Sequence, residues 1–122
     1  MNHTNTDLTN LVQELCKLPH ESEWVEFEVN NTNPQDIGEY LSALANSAAL
    51  HSKSHAYMIW GIEDQTHNIV GTNFSPATAK KGAQELESWL LQLLNPQIHF
   101  RLIELLPLVL KILPLPLDEK YL

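Results

Sequence analysis

The groups in this chain with most chemical potential are carboxylates. Glu21, Glu23, Glu26, Glu28, Asp36 and Glu39 fall in a window, residues 18 to 52, that holds no lysine or arginine. Six acids without a local cation repel one another unless water or a metal ion screens them. Hard oxygen ligands of this kind suit Mg2+ or Mn2+. An ion held there would activate water and neutralise charge developing on a phosphate. The same spacing also reads as a solvated acidic face, the commoner meaning of a charge run.

Other reactive residues are sparser. His51 and His55 are four apart, a spacing that would put two imidazoles on one helical face. The glutamate of a zinc-protease helix is missing between them, so a zinc role has only half its motif. Gly38, Gly61, Gly71 and Gly82 are scattered, and no phosphate-cradling loop is formed. Cys16 falls on an apolar helical stripe, where a thiol packs rather than attacks. Trp60 and Trp89 lie among apolar residues and read as packing groups. Trp24 is the tryptophan expected at the surface, beside the carboxylates, where it could stack a base.

The elements that must position these groups follow from hydrophobic spacing. Leu8, Leu11, Val12, Leu15 and Cys16 recur at helical intervals, predicting an amphipathic helix over about 6 to 18. Trp24 to Val29 alternates strictly and predicts a strand with Val25, Phe27 and Val29 inward. Glu26, Glu28 and Trp24 then share the other face. Asn33 caps the next helix, with Pro34 in its first position and Asp36 in its first turn. Ile37, Tyr40, Leu41, Leu44, Ala45 and Ala48 carry that helix to about Leu50. Tyr57 to Ile62 is apolar on both faces, the pattern of a strand buried on both sides. Asp64 closes it, and sequential strands are often neighbours, so Glu26 and Asp64 can converge. After a short strand at Ile69-Val70, Ser75-Pro76 opens a predicted third helix with Ala83, Leu86, Leu90, Leu93 and Leu94 as its buried face. Ile98 to Leu105 and Leu108 to Leu113 predict a hairpin about Pro107.

This order predicts an α+β fold, a mixed β-sheet covered by about three helices. The boundaries expected are a helix at 1–18 packing on the domain, a domain at 19–117 and a tail at 118–122. At 122 residues and 43% hydrophobic content, one core is the natural outcome. Seven Lys and Arg against fifteen Asp and Glu leave a net charge of −8, which favours solubility and opposes binding to a polyanion. A single cysteine and an N-terminus with neither a basic start nor an apolar run point to the cytoplasm. The apolar run from Leu102 to Leu117 is broken by Glu104, Lys111 and three prolines, so no membrane span is expected.

Several segments, taken in order, resemble the Schlafen AlbA-like domain. Glu21-Ser22-x-x-Val25-Glu26-Phe27 is similar to its opening signature of Glu-Ser, two variable residues, an aliphatic residue and Glu-Phe-Lys. Tyr40 to Ser47 resembles its helix ending in Ala-Asn-Ser. Trp60-Gly61-Ile62-Glu63-Asp64 resembles its strand ending in Gly, aliphatic and acidic residues, and Ile69-Val70-Gly71 the short strand after it. The resemblance covers about 19 to 105. It implies a DNA-binding domain of transcriptional regulators that carry a divergent AAA-type or winged-helix remainder. It also implies a second role, metal-dependent endoribonuclease, in which three acids act. By motif position these are Glu21, Glu26 and Asp64, as catalytic residues and as ligands of Mg2+ or Mn2+. Two departures stand out. The motif's lysine is replaced by Glu28, and Ala48-Ala49-Leu50 stands where Gly-Gly is frequent.

Three functions therefore follow as expectations. The first is a nucleic-acid-binding module contacting phosphates through Lys53, Lys80, Lys81 and Arg101, weakly and with strong salt dependence. The second is the metal-dependent nuclease. The third is an interaction domain contacting a partner protein, or forming a homodimer through the C-terminal strands, since exposed edges invite pairing.

Overall fold

The computed structural model of the chain describes residues 5–18, 22–75, 80–81, 84–85 and 102–114. It shows an α+β fold. Helix α1 (Asn5–Cys16) leads into strand β1 (Val25–Glu28), helix α2 (Pro34–Leu50) and strand β2 (His55–Trp60). Two short strands follow, β3 (Lys80–Lys81) and β4 (Gln84–Glu85), then the hairpin of β5 (Ile103–Leu105) and β6 (Leu108–Pro114). The main sheet has the order β1-β2-β6-β5. β1 and β2 run parallel, with Glu26 opposite Met58 and Glu28 opposite Trp60. β6 is antiparallel to both of its neighbours. The sheet is therefore mixed.

Alternation along β2 explains why it sits inside. Ala56, Met58 and Trp60 meet the α2 side with Ile37, Leu41, Leu44, Ala45 and Ala48. Ile59 points the other way, into a cluster with Leu8, Val12 and Leu15 of α1, Phe27 of β1, and Ile62, Leu108 and Leu110. One strand thus holds two apolar layers together, and each large side chain it buries contributes about 1.5–3 kcal/mol. α2 begins as its sequence requires. The Asn33 side chain accepts from Asp36 N at 3.1 Å, and Pro34 occupies the first turn.

Two expectations are revised. Most of the third helix expected after Ser75 lies outside the described residues, but Lys80–Lys81 and Gln84–Glu85 pair as an antiparallel ladder instead of a helix. The register sets Lys80 opposite Glu85 and Lys81 opposite Gln84. Among the described residues two helices, not three, cover the sheet. β1 stops at Glu28, so Val29 lies in the bend beyond it. Of the C-terminal strands considered for a dimer, β6 is hydrogen-bonded on both sides, by β2 and by β5, and β5 is the outer one. No described helix is long and apolar enough to cross a membrane.

Candidate functional site

Because β1 and β2 are parallel, their ends form two distinct regions. Beyond their C-terminal ends lie the carboxylates. The chain leaves β2 at Gly61, whose φ of +108° belongs to glycine, and a Cβ there would stand 2.6 Å from Leu108 Cδ2. Gly61 N and Ile62 N both donate to Glu28 O, at 2.6 and 3.2 Å, while Gly61 O accepts from Val70 N and Gly71 N. This crossing folds the Glu63–Asn68 turn back on β1. It brings the Asp64 charge close enough to act on both Glu26 and Glu28.

Glu26 and Glu28 share the α2 face of β1, as strand parity predicts. Burial pushes the Glu26 carboxyl up to about 7, and the charges of Glu28 and Asp64 add to it. Protonated Glu26 donates a hydrogen bond to Glu28. Burial raises Glu28 as well, against the lowering effect of a hydrogen bond from the Tyr40 hydroxyl; Asp64 and Asp36 add repulsion. Tyr40 is raised in turn, chiefly by the Glu28 charge. Asp36 is itself held by Asn31 Nδ2 at 3.1 Å. Three of the six acids, Glu26, Glu28 and Asp36, thus come together with Asp64 from the turn beyond β2.

The metal implied by the family resemblance was Mg2+ or Mn2+ on Glu21, Glu26 and Asp64. Glu21 lies outside the described residues. Among the described residues, no three carboxylate, histidine or cysteine side chains are placed to hold one ion. Of the three carboxylates, Glu26 and Asp64 are brought near each other, and oxygen donors of this kind suit a hard divalent ion. Asp64 also lines a small recess with Ser22, Val25, Phe27 and His67 on the α1 side of β1. His67, at φ +60°, hydrogen-bonds the Cys16 carbonyl through Nδ1 at 3.0 Å, with its ring edge-on to Phe27 at 4.7 Å. That contact ties the turn carrying Asp64 to the end of α1. Burial raises the Cys16 thiol, in keeping with a packing role.

The other region gathers at the N-terminal ends of β1 and β2. Trp24 is half-buried against the α2 cluster. Its ring carries Lys53 Nζ 4.4 Å from the centroid and the His51 ring at 5.8 Å. His51 Nε2 lies 3.3 Å from Glu23 Oε2. Trp24 thus stands on the face of Glu26 and Glu28, with a cation and an imidazole added to its neighbours. His51 and His55 do not share a helical face, because α2 ends at Leu50 and His51 caps it. The turn that follows, with Ser52 at φ +55°, sends His55 into β2, where it stacks on Tyr57 at 6.2 Å.

Of the phosphate-binding candidates, only Lys53 has a described side-chain setting, and it is exposed. Lys80 and Lys81 form β3, and Arg101 lies outside the described residues. Two participants escaped the sequence reading. Tyr40 counted only as apolar, although its hydroxyl reaches Glu28. Lys111 counted as an interruption of an apolar run, yet it is buried on the face of Glu26, opposite Met58. Strand alternation through Val109, Lys111 and Leu113 was the available signal for Lys111; nothing in the sequence marks Tyr40.

Among comparisons with known proteins, no curated protein and no solved structure matches the chain. A family model described as Schlafen, AlbA_2 does match, over residues 21–120. It spans the opening acidic motif, α2, the Gly61 crossing and the C-terminal hairpin. The chain therefore belongs to the Schlafen, AlbA_2 family.

Proposed function

We propose that this chain is a nucleic-acid-binding module of the kind found in transcriptional regulators. Family membership points to a nucleic-acid-related function. The observation that carries the finer reading is the exposed Lys53 ammonium 4.4 Å from the Trp24 ring, at the end of the β1–β2 pair away from the paired carboxyls. A cation there is open to an incoming phosphate, and the Glu23 carboxylate, paired with His51, stands in the same group. With a net charge of −8, the long-range field opposes a polyanion, so affinity is low and falls steeply with salt.

Fluorescence anisotropy with labelled DNA and RNA oligonucleotides, across a series of salt concentrations starting low, tests this. The expected outcome is binding that weakens log-linearly with salt and weakens further in Lys53→Gln. Absence of binding to either nucleic acid at the lowest salt removes the proposal.

A further inference from the structure

We infer that the ligand is single-stranded nucleic acid, with an unpaired base seated on Trp24 and the neighbouring phosphate taken by Lys53. This rests on the binding function proposed above and narrows it.

The first argument is electrostatic. Binding to a duplex depends mainly on cations neutralising phosphates. This chain has seven Lys and Arg against fifteen Asp and Glu, and Lys53 is the first cation after residue 17. Affinity must then come from a contribution that charge does not oppose. Base–aromatic stacking is such a contribution, and it requires a base freed from its partner.

The second argument is geometric. Trp24 precedes β1 and its indole is half-buried, so the ring is held by the α2 cluster while part of it meets solvent. The groups covering the solvent side are weakly held. Lys53 is exposed and rests there by a cation–π contact alone among its described contacts. His51 is exposed, and its link to Glu23 is a surface pair. A lysine on a four-carbon stem can swing from the ring to a phosphate while a base takes its place. Withdrawal of Lys53 thus exposes the stacking surface and delivers the charge in one motion.

The test compares three probes of about 12 nucleotides, a length within the range that one small domain covers. They are oligo-deoxythymidine, oligo-uridine and a mixed-sequence duplex, titrated at low salt into the full chain and its Trp24→Leu and Lys53→Gln variants. Leucine keeps apolar contact with the α2 cluster but removes the ring. The expected result is single-strand binding tighter than duplex binding, with quenching of tryptophan emission. Trp24→Leu should weaken single-strand binding roughly five- to hundred-fold and abolish the quenching. Lys53→Gln, at an exposed position that leaves folding intact, should make the salt dependence shallower by about one unit. Equal affinity for duplex and single strands, or single-strand binding indifferent to the loss of the ring, overturns the inference and leaves nucleic-acid binding standing. Lack of binding to all three probes overturns both. The two single-stranded probes separate DNA from RNA.

Discussion

The two ends of the β1–β2 pair are built on opposite physical terms. At the C-terminal end, Glu26 and Glu28 are half-buried, interact through a hydrogen bond, and adjoin a chain crossing that needs the positive φ of Gly61. At the N-terminal end, Trp24, His51 and Lys53 meet through contacts that are each weak and solvent-accessible. Glu26 and Glu28 are partly withdrawn from water, whereas His51 and Lys53 stay exposed. A region that must exchange one partner for another gains from contacts of low individual strength. The acidic end has another consequence, because a carboxyl held near neutrality makes stability depend on pH.

Substitutions at each end can break this contrast. The largest effect is expected from Gly61→Ala, which forces a side chain into a positive-φ position and against Leu108. Chemical denaturation should show a loss of about 3 kcal/mol. Oligonucleotide affinity of the folded fraction should stay unchanged, since Trp24 and Lys53 stand at the far end. If affinity falls in parallel, the two ends are not independent.

Next is Glu26→Gln. The Glu26 carboxyl is raised in the folded state, so its contribution to stability is complete below about 4.5 and is lost as pH rises through about 7. The variant should match the parent in acid and exceed it above pH 7. The gain expected is roughly 1 kcal/mol, discounted because the side chain is only partly buried and water screens it. A pH series of thermal melts reads this directly, and a gain that is constant with pH would show that Glu26 does not titrate near neutrality.

Glu28→Lys restores the cation that the family motif carries. It changes the net charge from −8 to −6, since one −1 becomes one +1. The Glu26 carboxyl should then return toward the ordinary carboxylate range, followed by NMR titration. The salt dependence of nucleic-acid binding should steepen by no more than about one unit, because the new charge lies away from Lys53. The smallest effect is expected at Glu23. Glu23→Gln removes an exposed partner of His51, and unfolding free energy should move by less than about 0.5 kcal/mol. A larger change would mean that the aromatic end is as firmly built as the acidic one.

Much of the frame was legible because it depends on local rules. The Asn33-Pro34 start of α2, the two-sided apolar run of β2 and the hairpin about Pro107 follow from capping, alternation and turn chemistry within a few residues. The acidic window was equally plain, and strand parity put Glu26 and Glu28 on one face. Other features hid because they depend on partners far along the chain. Tyr40 and Glu28 meet only because α2 lies over β1. The ladder of Lys80–Lys81 with Gln84–Glu85 overrode a helical pattern through pairing that periodicity does not register.

The sequence by itself determined the α+β class, the supply of carboxylates, the shortage of cations and the family motifs, since each is a matter of residue type and short spacing. Tertiary structure decided how those residues divide. The parallel register and the Gly61 crossing gather Glu26, Glu28 and Asp64 at one end, while the turn after α2 carries His51 and Lys53 to Trp24 at the other. Burial then does what spacing cannot. It withdraws water from Glu26 and Glu28, which favours their protonated forms, and leaves a lysine in solvent where it can let go of a ring.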